Sequence, residues 1–263
     1  MKKYYQYELV REAVPLEPIP EEVHAQFLRP GELLAIQEKF PVAFQPLGTL
    51  EWHGRQNPIG CDSLKAENVC REAAKMVGGV VMPTMYFSSD AYFNSGKGIG
   101  HGMDAVAGFQ LPGSFYGIDN DLLKKLMLNA CHNYLSRGFK LVIIVSGHNP
   151  TIQRNLMDEV CYLMKTPEGK EPVHFLMEFD EADSEKMRMK PDHGSGYETS
   201  MMLHLAGNRV NMKANDGQKI PSLAIGGNTP YSDATEEEGK LYFDMEVKGL
   251  AKFAQKKLKL IDD

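Results

Sequence analysis

The sequence has no apolar run long enough to cross a membrane. The longest is Leu141–Val145, whereas a transmembrane helix needs about 20 apolar residues. The N-terminus also lacks the apolar segment of a secretory signal, because its first residues, MKK, are followed by the polar and aromatic residues YYQYE. We therefore expect no membrane partner and a cytoplasmic location.

Cysteine and basic residues are also scarce. The four cysteines form no CxxC pair, so we interpret them as small buried apolar residues in a reducing compartment. Lys and Arg number 29 against 35 Asp and Glu, a net charge of −6. A mildly acidic chain is a poor ligand for polyanions, so nucleic acid is not an expected partner.

What is present is typical of a soluble globular protein. The chain has 263 residues, of which 43% are apolar and 24% charged. A chain of this size can bury roughly 70–75% of its unfolded surface without a disulfide or a metal. No linker is visible, so we predict one domain over 1–263. Residues 1–35 are rich in Glu, Pro and Tyr and are expected to form an irregular N-terminal arm, with a short helix near 20–27.

Apolar runs and helical stripes alternate along the rest of the chain. The run from Phe139 to Val145 is rich in β-branched residues, as in a strand covered on both faces. A long loop is expected over 86–117, which holds seven glycines. This order predicts an α/β protein with a mostly parallel sheet. The predicted strands lie at 42–44 (closed by a loop at 46–48), 79–83, 139–145 and 173–177, and the predicted helices lie at 62–76, 120–136, 151–165, 198–205 and 235–258.

Acidic and imidazole side chains cluster where these strands end and helices begin, which is where sites form in open α/β sheets. Glu51 and His53 are two apart, so in an extended segment they face the same side. Asp62 lies at the start of a helix and could bridge two ions, and His148 directly follows a buried strand. Glu198 opens a later helix. Taken singly, Glu51 is better interpreted as a solvated acid, Asp62 as a helix N-cap and Glu198 as a first-turn helix acid. His148 alone is equally well interpreted as a core histidine.

Taken together, two imidazoles and three carboxylates suit Zn²⁺, Mn²⁺ or Fe²⁺. Two such ions about 3.5–4 Å apart, sharing a carboxylate, would generate hydroxide at neutral pH and polarise a carbonyl group.

Five segments of the chain, in order, resemble the motifs of the creatininase (creatinine amidohydrolase) family. The Pro46–Asp62 segment resembles the family's first motif, roughly Pro-x-Gly-Ser-x-Glu-x-His-Gly-x-His-Leu-Pro-x-x-Thr-Asp, with no gap. The Ser146–Asn149 segment resembles its strand-end motif, and His193–Ser200 resembles its His-Ala-Gly-x-x-Glu-Thr-Ser. The segments at 111–114 and 234–239 resemble a loop and the start of its last helix.

The resemblance implies a three-layer sandwich with a mostly parallel central sheet flanked by helices, assembled as a homo-oligomer, often a hexamer. It implies two divalent ions, zinc or manganese with iron as a third choice, and His193 as the acid/base that serves the leaving group. Trp52, Gln56 and Asn149 would contact a small polar cyclic substrate, although Trp52 could instead pack beneath the site. The implied metal ligands are Glu51, His53, Asp62 (bridging), His148 and Glu198.

The departures from the family pattern lie near the expected pocket. Gln56 replaces the motif's second His, Cys61 replaces Thr, and Asn149-Pro150 replaces Gly-Gly. In some members the last ligand is a Glu at the position of Pro150, so Glu198 must serve here. The expected function is hydrolysis of a small cyclic amide or related C–N bond by a metal-bound hydroxide. The alternatives are a metal-dependent C–C hydrolase of a keto-inositol and a non-catalytic metal-binding member.

Overall fold

The structure is a computed structural model that describes residues 7–90, 92–94 and 99–262. Its helices and strands alternate along most of the chain, as an α/β protein requires. The helices are α1 (Tyr7–Ala13), α2 (Pro30–Lys39), α3 (Cys61–Val77), α4 (Asp104–Ala107), α5 (Asn120–Ser136), α6 (Thr151–Leu163), α7 (Gly196–Ala206) and α8 (Glu236–Asp262). The strands are β1 (Val42–Leu47), β2 (Val80–Val81), β3 (Tyr92–Asn94), β4 (Ile99–His101), β5 (Leu141–Ser146) and β6 (Val173–Met177).

The central sheet has four parallel strands in the order β2-β1-β5-β6. Phe44 on β1 pairs with Ile143 on β5, which pairs in turn with His174 on β6. Because β1 and β5 are neighbours and parallel, their carboxyl ends meet at the same edge. The prediction of a mostly parallel sheet is confirmed, and it brings together two of the segments that carry candidate ligands.

Helices cover both faces of this sheet, which confirms the three-layer sandwich. Alternate residues of β5 enter opposite cores. Leu141 and Ile143 pack in the core formed with α3, α7 and α8, whereas Val142 and Ile144 pack in the core formed with α2, α5 and α6. The strand is buried along its whole length, so its continuous apolar character follows from having a helical layer on each side.

The N-terminal arm is more regular than expected. The predicted helix near 20–27 is wrong, since only a 3₁₀ turn at Ala25–Phe27 forms there. Instead α2 begins at Pro30, where proline's fixed φ suits the first helical position. The Glu32 carboxylate accepts from the Arg29 backbone N–H at 2.8 Å, which satisfies a backbone donor at the start of the helix. The first six residues of the predicted arm lie outside the described residues.

Two other segments differ from the expectation. Strand β1 includes Pro46 and Leu47, which were expected to lie in the loop that closes it. Pro46 is tolerated because its missing N–H would point toward β2, which has already ended at Val81, while its carbonyl still accepts from Met85 N at 3.0 Å. The expected loop over 86–117 contains an antiparallel β3–β4 pair and the short helix α4.

Candidate metal centre

The candidate centre forms where α3 begins against the ends of β1 and β5. A Cβ at Gly147, directly after β5, would lie 2.0 Å from the backbone oxygen of Asp62. A Cβ at Gly48, directly after β1, would lie 2.6 Å from backbone atoms of Ser63. Only glycine fits at such distances. The backbone of the first turn of α3 therefore packs directly against the backbone of the two strand ends, and Asp62 lies between them.

Asp62 occupies the middle of the cluster and presents one oxygen to each side. Its Oδ1 lies 3.0 Å from His53 Nε2, and its Oδ2 lies 3.1 Å from His148 Nδ1. It is the second residue of α3, whose N-cap is Gly60, so it does not act as the cap considered from the sequence. Its carboxylate is buried and faces the two imidazoles.

Each imidazole also meets a second carboxylate. Glu51 Oε2 lies 3.1 Å from His148 Nδ1, and Glu198 Oε2 lies 3.4 Å from His53 Nε2. We call the set of Glu51, Asp62 and His148 position 1, and the set of His53, Asp62 and Glu198 position 2. Ligand atoms within each set lie within 4.8 Å of one another. The structure thus brings together all five residues that the sequence predicts as ligands, although their role in binding metal stays a prediction.

The charges in the cluster shift its ionisation strongly. Burial alone would lower the pKa of His53, but the Asp62 and Glu198 carboxylates overcome burial and raise that pKa to about 10. The pKa of His148 is raised well above its ordinary value against the same opposition, by Glu51 and Asp62. Burial works against ionised Asp62, yet the two imidazoles hold its pKa well below the usual range. Without metal, protonated imidazoles balance the carboxylates.

The donor atoms fit divalent metal ions. His53 Nδ1 lies 3.2 Å from the carbonyl of Glu51, which can only accept, so Nδ1 keeps its proton, and Nε2 would offer its lone pair to an ion at position 2 once its own proton is lost. Among the described residues, buried Glu51 Oε2 lies 3.1 Å from His148 Nδ1 but makes no hydrogen bond of regular geometry. A buried carboxylate oxygen left in this way points to an additional ligand. Mixed imidazole and carboxylate donors suit Zn²⁺, Mn²⁺ or Fe²⁺.

His193 lies beside position 2 and is held by the main chain. Its Nε2 lies 2.6 Å from the Trp52 carbonyl, so Nε2 carries a proton and Nδ1 is the nitrogen left to exchange one. Its ring stacks on that of His53 with centroids 4.5 Å apart. The backbone N–H and carbonyl of His193 each bond Gly226 at 2.8 Å. A third possible donor set, overlapping the others, joins His193 to Glu51 and His53.

The three residues predicted to contact substrate are hydrogen-bonded within the protein. The Trp52 indole donates to the Leu223 carbonyl at 2.9 Å. Buried Gln56 donates to the Gly194 carbonyl at 2.7 Å, so it supports the turn that follows His193. Half-buried Asn149 donates to Glu178 Oε2 at 3.1 Å. Contact of these three side chains with a substrate stays a prediction.

Sequence reasoning missed a buried lysine in this cluster. Lys65 is 0% exposed; its Nζ lies 2.9 Å from Glu178 Oε1 and also contacts Glu198 Oε1. Burial opposes its charge, but Glu178 and Glu198 raise the pKa of Lys65 well above its ordinary value. The signal was its place in the i, i+4 stripe that buries Cys61 and Val69 on α3. Cys61 itself lies in a donor set with the residues of position 2.

Fold and site together define a class: an α/β three-layer sandwich with a buried carboxylate–imidazole cluster, which could hold metal ions, at the carboxyl ends of parallel strands. Comparison with known proteins narrows this class to one family. The family model "Creatininase: Creatinine amidohydrolase" matches residues 28–254. The chain belongs to the creatininase family.

Solved structures show the same fold. A crystal structure of creatinine amidohydrolase (creatininase) is 21% identical, with a TM-score of 0.70, 90% of this chain covered and 98% of the other. A structure described as creatininase Mn is 21% identical in sequence and has a TM-score of 0.69, with 90% of this chain and 98% of the other covered. A mutant creatininase described as Zn-Zn type is 20% identical in sequence and has a TM-score of 0.68. The alignment again covers 90% of this chain and 98% of the other. No curated protein sequence matches this chain. Within the described residues, none of the helices has the length and apolarity to span a membrane.

Proposed function

We propose that this chain is a divalent-metal-dependent hydrolase that opens a small cyclic amide or a related C–N bond. The observation that carries the proposal is the position of Asp62, whose two carboxylate oxygens face two different sets of nitrogen and oxygen donors. Membership of the creatininase family supports it. So do related structures described as Mn and Zn-Zn forms.

The two donor sets would bind different ions. Position 1 and position 2 would each hold one ion, with Asp62 shared. Two divalent ions in such a centre activate water and polarise a carbonyl group. Zinc or manganese is the proposed metal, with iron as a third choice, because the donors are imidazoles and carboxylates rather than thiolates.

His193 is the proposed acid/base. Cleavage of an amide C–N bond leaves a nitrogen that must gain a proton, and His193 Nδ1 could take the proton that the attacking water gives up and pass it to that nitrogen. The bond from its Nε2 to the Trp52 carbonyl fixes the ring, so that the same nitrogen always faces the reacting bond. The Trp52 indole, bonded to Leu223, in turn fixes that carbonyl.

The remaining parts of the proposal concern the substrate and the assembly. We propose a small polar cyclic substrate contacted by Trp52, Gln56 and Asn149, a cytoplasmic location, and a homo-oligomer, specifically a hexamer. Light scattering after size-exclusion chromatography tests the assembly, since a monomer in solution would contradict it.

A substrate panel tests the reaction. The protein, loaded separately with Zn²⁺ and Mn²⁺, is incubated with lactams and other cyclic amides, formamides and keto-inositols, and products are identified by mass spectrometry. We expect ring-opened amide products, whose formation a chelator abolishes and His193→Gln slows by about 10²- to 10⁴-fold. Turnover confined to keto-inositols would replace C–N by C–C hydrolysis, and the absence of bound metal would contradict the proposal as a whole.

A further inference from the structure

The segment from Ser88 to Asp90 forms one wall of the candidate site, and we call it the wall segment. Ser88 and Asp90 line a small cavity together with Glu51 and His148, which are two of the three residues of position 1. Asp90 Oδ2 lies 3.7 Å from His148 Nε2. Between them in the chain, Ser89 is completely buried. A substrate that approaches an ion at position 1 would therefore meet the wall segment.

A buried glutamine joins the wall segment to the turn that carries His148. Gln153 lies in the first turn of α6 and is 0% exposed. Its Oε1 accepts from the Ser89 backbone N–H at 2.9 Å. Its Nε2 donates to the His148 carbonyl at 2.8 Å and to Ser146 Oγ at 2.7 Å. Because a backbone N–H only donates and a carbonyl only accepts, these partners fix the orientation of the amide.

The two partners of this link depend on Gln153 to different degrees. The His148 carbonyl also accepts from Ser146 Oγ at 2.5 Å, and that oxygen accepts from the His148 backbone N–H at 3.1 Å. The turn therefore keeps bonds of its own when Gln153 is removed. The Ser89 N–H is a buried donor that would lose its acceptor, and a buried donor left unpaired is costly.

The general course of the wall segment is set by other contacts. The Ser88 hydroxyl donates to the Gly48 carbonyl, and the Ser88 backbone pairs with Gly117. The Ser89 hydroxyl bonds Asn120 at the start of α5. Removing Gln153 should therefore leave the segment over the site while loosening its distance from the His148 turn.

We propose that Gln153 is a positioning residue, which holds the wall segment in register with position 1 and so sets how tightly the chain binds its substrate. The inference rests on the proposed function, and Gln153 contacts neither substrate nor metal in it. Without Gln153, only a fraction of the molecules would hold the wall segment in the arrangement that binds, and the apparent affinity falls by that fraction. Bound substrate restores the arrangement, so the rate at saturation changes little.

Gln153→Met tests this role, because methionine keeps the length of the side chain and removes its hydrogen bonds. With the best amide of the substrate panel, KM should rise roughly 10- to 100-fold, the range that follows from an unpaired buried donor. The kcat should stay within about threefold, since only binding is affected, and the metal content after dialysis should not change. Gln153→Glu retains an oxygen that accepts from the Ser89 N–H, so it should keep KM within about threefold of wild type.

The matched control is Gln45→Met. Gln45 is also 0% exposed and is also bonded through both ends of its amide, to the Pro46 and Pro83 carbonyls and to the Tyr134 hydroxyl. None of these partners belongs to the wall segment or to the candidate ligands. A general loss of stability would lower the active fraction, and hence kcat, in both variants, so Gln45→Met should leave KM unchanged.

Hydrogen exchange followed by mass spectrometry gives a second readout that needs no substrate. In the Mn²⁺-loaded protein, Gln153→Met should speed exchange about tenfold or more in a peptide covering residues 86–90. A peptide covering 141–149 should exchange as in wild type, because the His148 turn keeps its own bonds. If Gln153→Met does not fold, Gln153→Asn replaces it with the same expectations, since its side chain is too short to reach both partners.

An unchanged KM in the Gln153 variant, or a loss confined to kcat or to bound metal, would overturn the inference while leaving the proposed function standing. A KM that Gln153→Glu raises as much as Gln153→Met does would also overturn it. If no amide is turned over, the proposed function fails and exchange decides the inference: faster exchange confined to 86–90 supports the role of Gln153, and any other pattern refutes it.

Discussion

Replacing Asp62 by asparagine should remove both metal ions and destabilise the metal-free protein. The change keeps the shape of the side chain and removes the one charge that both imidazoles share. Asp62 lies 3.0 Å from His53 and 3.1 Å from His148. At an effective dielectric constant of about 20, two unit charges 3.0 Å apart attract by about 5.5 kcal/mol.

Burial offsets part of that attraction, and an imidazole can lose its proton when its partner is removed. Breaking a buried pair typically costs about 3–5 kcal/mol, and we expect a loss of this size in the unfolding free energy at pH 6–7 with chelator present. An amide oxygen cannot bridge two cations as a carboxylate does. The stabilisation that Mn²⁺ gives at 100 times its Kd, about 2.7 kcal/mol per site, should therefore also be lost.

Two measurements check this prediction: metal analysis after dialysis, and chemical denaturation with and without Mn²⁺. The control is Glu246→Gln, also a buried carboxyl-to-amide change. Burial raises the pKa of Glu246 to about 8, so it carries little charge at pH 7, and its change should affect neither measurement strongly. Two ions per chain retained by Asp62→Asn at wild-type affinity would refute the bridging role.

Three further outcomes are expected. The pKa of His53 is raised to about 10, so its stabilising contribution to the metal-free protein is complete below about pH 6.5 and lost as pH rises through about 10. Denaturation in chelator should show falling stability between pH 7 and 10, and rising stability there would contradict the assignment. His193→Gln should keep both ions and lose about 10²- to 10⁴-fold in turnover, measured as kcat on the best substrate; an unchanged kcat would remove its acid/base role. Gly147→Ala should cost about 3 kcal/mol or more by denaturant titration, because its Cβ would lie 2.0 Å from a backbone oxygen; near-neutral stability would show that α3 can shift.

The sequence predicts most of the fold because its signals are local. Helix α5 runs from Asn120 to Ser136 as predicted, since its apolar stripe is regular and Gly138 follows it. Strand β6 also has the predicted bounds. Helix α2 was missed because its start depends on a proline and on a hydrogen bond from the Arg29 backbone N–H to Glu32, rather than on an apolar stripe.

Some residues of the candidate site could likewise be placed from the sequence, and others could not. Glu51, His53 and His148 could be placed at strand ends from the sequence alone, because parallel strands bring such ends together. Lys65 could not be placed, since its partner Glu178 is 113 positions away in the chain. A lysine in a helix of mixed charge is usually solvated, and only the folded chain shows that this one is enclosed by carboxylates.

The close approach at Gly147 and Gly48 has a consequence for how proteins with this architecture can change. The first turn of α3 packs directly against two strand ends. The Asp62 carboxylate is therefore held as rigidly as the sheet, whereas a side chain on a loop would be more mobile. Sequence drift on the outer surface should leave the spacing between cations intact. New substrate preferences would then arise from changes in the residues around the site, while the positions of the candidate metal ligands stay constant.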